Sequence, residues 1–323
     1  MSYSFKTGLF MAGILFASSC RTAPSEPRAS QPEASQPDAS QPGASQLHEQ
    51  LRELALALPG DVGIYVRHLD SGEEVRIAAD TLFPTASMIK APILGALFDK
   101  IERGELSYRQ KLTYTIDRLY AGEDLLGSFQ ADQVVTLDKV AMLMITTSDN
   151  TAALWCQELA GKGTQINQWL ADNGFAKTRV NSRTQGRKDN WKQFGWGQTT
   201  PREMADLLVA IRDRRLVSPA ASEEMQRCLS RIYWDGEALS MIPPNVQTIS
   251  KQGAVSQSRS EAVLVHAPHG DYVFCVITNN QQDKSWGRDN QGYVLLREVS
   301  ALLWQHFEPT SPYTPPPGSE RYR

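Results

Sequence analysis

The chain has 323 residues, 41% of them apolar and 21% charged, and carries a formal charge of -3 at pH 7. That composition supports a large buried core, and with no run of Lys or Arg it speaks against a nucleic-acid partner or an electrostatic hold on an anionic surface. The apolar run Gly8–Ala17 after Lys6 is too short to cross a bilayer and has the length of a secretory signal core.

In chain order, that run ends in Ala17-Ser18-Ser19-Cys20, which resembles a bacterial lipoprotein signal. Residues 1–19 are therefore expected to be removed and Cys20 lipidated. The alternative is ordinary cleavage nearby, leaving a free thiol; either way the protein is exported to the periplasm or cell envelope. Residues 20–46 repeat Ala-Ser-Gln-Pro at Ala29, Ala34 and Ala39 with a broken copy at Ala44, too little apolar surface to fold, and read as a disordered tether. A folded domain is expected over residues 47–307 and a disordered Pro-rich tail over 308–323.

Within the domain, an amphipathic helix from Leu47 to Leu58 precedes alternating Val62, Ile64 and Val66, and Asp70-Ser71-Gly72 turns into a second strand through Ile77. The middle reads as helices over Ser87–Arg103, Leu137–Thr147, Thr151–Ala160, Gln165–Asn173, Thr200–Ala210 and Ala221–Ile232. Thr200-Pro201-Arg202-Glu203 has the form of a capping box. Strand periodicity returns in Val246–Lys251, Ala262–Ala267 and Tyr272–Thr278, before a last helix over Gly292–His306. The order implies an α+β fold: a mainly antiparallel five-stranded sheet flanked by terminal helices, with an all-helical lobe inserted between its halves and a cleft between the lobes. The distant Cys156, Cys228 and Cys275 read as buried apolar side chains, with one disulfide among them as the alternative.

Three short motifs carry candidate chemistry. Ser87-Met88-Ile89-Lys90 places a hydroxyl and an amine on one face where a helix begins, and an amine that takes its proton is one way to make serine a nucleophile. Ser148-Asp149-Asn150 stands at a junction between helices, where capping alone explains it. Lys251-Gln252-Gly253 closes a predicted strand, where a solvated lysine is the plain reading. Together and in this order, they form a set that its parts do not.

The set resembles the penicillin-recognising serine enzymes, and its spacing and layout are similar to class A β-lactamases over nearly all of Leu47–Phe307. The resemblance implies that Ser87 is acylated, Lys90 accepts or relays its proton, Ser148 protonates the departing nitrogen and Lys251 polarises that hydroxyl. It implies that Asn150 orients the substrate amide, and that the N–H groups of Ser87 and Ala254, beside Gly253, form an oxyanion hole. The implied partner is a β-lactam or a peptidoglycan stem peptide, taken by a monomer without metal or other cofactor.

Two departures stand out. Gln252, kept as a substrate-binding residue, replaces the hydroxyl residue usual in the third motif with a longer amide that can donate, and Arg259 is the candidate for the missing grip on a substrate carboxylate, with a surface arginine as the alternative. The loop Thr178–Gly186 holds no carboxylate, and the family's water-activating glutamate falls on Thr184. Glu203, explained by its cap, and Asp189 are the nearest substitutes. A positioned base contributes about 10²- to 10⁴-fold, so slow turnover is expected without one. Three readings follow: a β-lactamase, a penicillin-binding D,D-peptidase-like enzyme, or a non-enzymatic binding module.

Overall fold

The computed structural model describes residues 42–120 and 124–322; the expected signal segment, Cys20 and most of the repeat lie outside the described residues. The first half comprises α1 (Pro42–Ala57), β1 (Asp61–His68), β2 (Glu74–Ile77), β3 (Phe83–Pro84), α2 (Lys90–Glu102), β4 (Lys111–Thr113), β5 (Val134–Thr136), α3 (Leu137–Thr146), α4 (Asn150–Leu159) and α5 (Lys162–Asp172). The second comprises β6 (Arg179–Val180), α6 (Lys188–Phe194), β7 (Gly197–Thr199), α7 (Pro201–Arg212), α8 (Pro219–Leu229), β8 (Thr248–Val255), β9 (Ser258–Val265), β10 (Tyr272–Asn279) and α9 (Gln291–Phe307).

Five strands form one sheet in the order β2-β1-β10-β9-β8, every neighbouring pair antiparallel. Alternation sends Ile64, Val66, Val263, Val265, Phe274 and Val276 to one face, where Leu47 and Leu51 of α1 and Leu295, Val299 and Leu303 of α9 cover them. Tyr65, Ile249, Ala262, Leu264, Val273 and Cys275 point to the other face and merge with the core of the helical lobe. Each of the valine, leucine, isoleucine and phenylalanine side chains among them contributes about 1.5–3 kcal/mol through burial. The fold is the expected α+β arrangement of a sheet, two terminal helices and an inserted helical lobe.

Strand boundaries differ where it matters for the site. β8 runs on past Lys251 to Val255 and β9 starts at Ser258, so the expected strand end is mid-strand. All eight residues of β9 are buried, although Ser258-Arg259-Ser260-Glu261 breaks the hydrophobic pattern that marks a strand. The helix α1 starts at Pro42, inside the expected tether. The tail expected to be disordered is anchored at single points: most of residues 309–322 are exposed, but Glu308 is buried and Tyr313 partly so. Tyr313 joins the core under α9, Trp304 Nε1 donates to Ser311 O at 2.8 Å, and buried Glu308 accepts from His269 N at 2.8 Å. One aromatic anchor and one buried acid outweigh the proline-rich composition. Cys156, Cys228 and Cys275 are free and buried.

Candidate active site

A small sheet absent from the sequence expectations, β3-β7-β6, holds the chain ahead of Ser87. Phe83 pairs with Thr199, and Thr85 N donates to Gly197 O at 3.0 Å. The chain then turns through Ala86 at φ 44° into a 3₁₀ segment over Ala86–Ile89 before α2 begins. Residues three apart eclipse in a 3₁₀ turn, so Ser87 and Lys90 share a side as the sequence spacing requires. From Phe83 to Lys90 every residue is buried except Ser87. Buried Met88 and Ile89 anchor the turn from below and leave the serine facing out of it.

The second motif joins α3 to α4. Ser148 adopts φ 60°, a left-handed conformation that costs a non-glycine residue on the order of 1–3 kcal/mol and persists only where its surroundings hold it. The cap belongs to Asp149, not to Ser148 or Asn150: its carboxylate accepts from Ala152 N at 2.7 Å and Leu126 N at 2.8 Å. Asp124 accepts from Thr151 N at 2.8 Å and Thr151 Oγ1 at 3.1 Å, so two carboxylates converge on the N-terminus of α4, where the helix dipole favours negative charge.

Both lysines are fully buried and converge on Ser148. Lys90 Nζ donates to Ser148 O, to Ser148 Oγ at 3.0 Å and to Asn150 Oδ1 at 2.8 Å. Lys251 Nζ donates to the same Oγ at 3.2 Å, to Gln252 O at 3.0 Å and to Gln252 Oε1 at 2.6 Å. A hydroxyl that accepts twice still has its own proton to give, so Ser148 is set up as a donor backed by two amines. Ser87 is not among the partners of Lys90; the direct amine–hydroxyl contact expected from the spacing is replaced by bonds across the lobe to Ser148 and Asn150.

Burial pushes Lys90 down to about 7, against the pull of the Asp124 and Asp149 charges. It pushes Lys251 well below its ordinary range too, with Lys90 adding to the depression and Glu261 opposing it. Two buried ammonium groups sharing one oxygen do not both hold a proton comfortably, so one of them has a lone pair to offer near neutrality.

The third motif meets the first at Gly253. A methyl group there would stand 2.6 Å from Thr85 O and 2.8 Å from Ser87 N, so only glycine lets β8 lie against the turn that carries the serine. Ala254 follows on the same edge strand, which leaves main-chain groups on its outer side unpaired by the sheet. Ser87 N and this edge thus lie side by side, the arrangement an oxyanion hole requires.

Arg259 is not brought to this cluster. It is fully buried, its terminal nitrogens donate to Val255 O, to Ser258 O at 2.9 Å and to Ser285 O at 2.5 Å, and its guanidinium lies 4.4 Å from the Trp286 ring and 4.7 Å from that of Tyr293. It braces the β8–β9 hairpin against the loop before α9. The expected carboxylate partner, and the alternative of a surface arginine, both give way to this internal role.

No carboxylate of the loop after β6 reaches the cluster. Glu203 accepts from Lys177 N at 2.9 Å, Thr178 N at 2.7 Å and Thr178 Oγ1 at 2.6 Å, while Thr200 Oγ1 accepts from Glu203 N at 3.1 Å. It therefore clamps the start of the loop. Asp189 has a side chain 96% exposed, and Thr184 sits in the space opened by the missing side chain of Gly163. A cavity of about 560 Å³ under the loop is lined by Asn181, Thr184, Trp191, Trp196 and Tyr120 among others. It includes none of Ser87, Lys90, Ser148 and Lys251, so the lysine–serine cluster and this cavity are separate places, and the cluster is the candidate active site.

The sequence reading missed Asp124 and Asp149. Asp149 was legible as the first-choice capping residue ahead of α4. Asp124, which reaches the site through an irregular loop, left no sequence signal.

The model of the β-lactamase enzyme family matches residues 46–307. β-Lactamase VEB-1 of Pseudomonas aeruginosa is 18% identical over 257 residues, covering 76% of this chain and 85% of that one. Among solved structures, PBP-A, a leucine-to-glutamate variant in acyl-enzyme complex with penicillin G, is similar at a TM-score of 0.73 and 27% identity, over 82% of this chain and 97% of that one. A β-lactamase of Sphaerobacter thermophilus shares the fold at a TM-score of 0.72 and 21% identity, over 84% and 98%. With the matched region spanning both lobes and all three motifs, the chain belongs to the β-lactamase enzyme family.

Proposed function

We propose that the protein is an exported serine acyl hydrolase that β-lactams or D-alanyl peptides acylate on Ser87, and that it releases the acyl group slowly. The observation that carries this reading is the hydroxyl of Ser148 held between the buried amines of Lys90 and Lys251, with Ser87 N against Gly253. In the acylation step Ser87 Oγ bonds to the substrate carbonyl carbon and the carbon–nitrogen bond breaks. The serine proton passes to Lys90 in its neutral form, and Ser148 returns a proton to the departing nitrogen, refilled from the lysines. Asn150 orients the substrate amide, and Ser87 N and Ala254 N steady the oxyanion.

Slow release follows from the occupied or distant carboxylates: Glu203 is spent on main-chain N–H groups, and Asp189 is in solvent. The penicillin G acyl-enzyme of the PBP-A variant supports the second reading, a penicillin-binding enzyme of the D,D-peptidase kind. Export, with Cys20 as a lipid-bearing residue and residues 20–46 as a tether for a monomeric domain, completes the proposal; Cys20→Ser should release the protein from membranes.

A chromogenic cephalosporin, followed by colour and by intact mass, tests the reaction. Sustained colour that disappears in Ser87→Ala supports a hydrolase, and one equivalent of colour with a stable adduct supports the penicillin-binding reading. Neither colour nor adduct would overturn both and leave a binding module without chemistry.

A further inference from the structure

Lys251 and Gln252 are neighbours on β8, so a strand sends them to opposite faces of the sheet. Lys251, opposite Ala262, faces the helical lobe, whereas Gln252 is opposite Glu261, whose carboxylate accepts from Ser250 Oγ and Ala238 N on the α9 side. Yet Gln252 Oε1 comes back to Lys251 Nζ at 2.6 Å. That path exists because β8 is the outer strand, with no strand paired beyond it among the described residues.

The consequence, whenever Lys251 holds its proton, is a saturated cation. An ammonium has three donors, and those of Lys251 are spent on Ser148 Oγ, Gln252 O and Gln252 Oε1. Lys90 spends its own on Ser148 and Asn150. The terminal nitrogens of Arg259 go to three main-chain carbonyls on the far side of the hairpin. None of these three basic groups therefore presents a ready donor to an incoming carboxylate. Gln252 Nε2, in contrast, has no partner among the described residues, and its side chain is half-exposed at the strand edge. What stands beside the acylation site is a neutral N–H donor, suited to a neutral carbonyl oxygen.

We infer that Gln252 is a specificity residue: by covering Lys251 it favours acyl donors that carry a neutral carboxamide or ester, in place of a free carboxylate, on the side that faces β8. The inference rests on Ser87 acylation as proposed above. A free carboxylate has to unseat the glutamine oxygen from the lysine before it gains a charged partner. An ester or amide accepts from Gln252 Nε2 with the lysine contact intact.

Acylation of the full-length protein by benzylpenicillin and by its methyl ester, timed by intact mass, reads this directly. The wild type should take the ester at least as fast as the acid, and Gln252→Thr, which uncovers Lys251, should move the ester-to-acid ratio about tenfold or more toward the acid. Gln252→Glu, of equal length but charged against Lys251, should move it toward the ester. The inference is overturned if the wild type prefers the acid by about tenfold, or if neither variant moves the ratio by more than about threefold. Each variant acylated by either probe shows that its site is folded. Absence of adducts from the wild type with both probes would instead remove the acylation reading and this inference with it.

Discussion

Replacing Lys90 by methionine tests whether the buried amine is held near neutrality. In the fold its pKa drops from the ordinary 10.5 to about 7, chiefly because the side chain is fully enclosed. The folded value lies below the unfolded one, so between them the unfolded chain binds more protons and stability rises with pH. The penalty is absent above about 10.5, grows as pH falls, and is complete below about 7. At about 1.4 kcal/mol per unit it amounts to roughly 4 kcal/mol near pH 7 and roughly 1.4 kcal/mol near pH 9.5. Wild type should accordingly gain about 3 kcal/mol relative to Lys90→Met across that interval. Relief of Lys251 in the variant adds to the gap with the same sign, since Lys90 is one cause of the depression at Lys251. Urea unfolding of both proteins at the two pH values, followed by tryptophan fluorescence, measures it. A change of less than about 1 kcal/mol would mean that Lys90 carries its charge like a solvated lysine. Its part as proton acceptor at neutral pH would then fail.

Three further substitutions separate chemistry from scaffolding. Gly253→Ala drives a methyl group into Thr85 O and Ser87 N, and should slow Ser87 acylation about a hundredfold by shifting the serine turn, as timed by intact mass. Thr184→Glu puts a carboxylate where the family's motif calls for one, but the side chain is packed against Gly163. It should cost about 1–3 kcal/mol in a thermal melt and leave the decay of the adduct within about threefold of wild type. Arg259→Met strands three main-chain carbonyls and should lose about 3 kcal/mol of stability. The ester-to-acid preference should stay unchanged, because the guanidinium does not face the site.

The fold was legible wherever burial imposed a clean period. The helical spacing of α3, α7 and α9 comes from one buried face each, and β10, buried on both faces, shows as an unbroken apolar run; the sequence carries both patterns openly. Local pattern failed where long-range contacts decide the outcome. The strands β3, β6 and β7 are two or three residues long and exist because distant segments meet. Ser258-Arg259-Ser260-Glu261 reads as a loop, yet it is buried with internal partners for most of its polar groups: the terminal nitrogens of Arg259 donate to main-chain carbonyls, Ser260 Oγ donates to Gly253 O, and Glu261 holds Ser250 and Ala238, while Ser258 Oγ and Arg259 Nε are left without one. The anchoring of the largely exposed tail depends on single contacts that composition averages away.

The candidate site divides along the same line. Which residue types it holds was readable from three motifs; which way each side chain points depended on a turn the sequence does not mark. Val255 pairs with Ser258 across Ser256-Gln257, a two-residue connection without the Asn-Gly or Gly signature of tight hairpins. Once that turn is placed, the antiparallel register puts Lys251 opposite Ala262, Gly253 opposite Ser260 and Ala254 opposite Arg259. Lys251, Gly253, Ser260 and Ala262 then share the face that meets Ser87, while Arg259 falls on the other. A slip of one residue in the pairing reverses every face. A slip of β9 by one residue along β8, with Lys251 and Gly253 left in place, would set Arg259 opposite Gly253 or Val255, on the side of Ser87, and give the site a cation beyond the two lysines. The absence of a ready charge for a substrate carboxylate is thus a property of the hairpin's parity as much as of the residues that line the cleft.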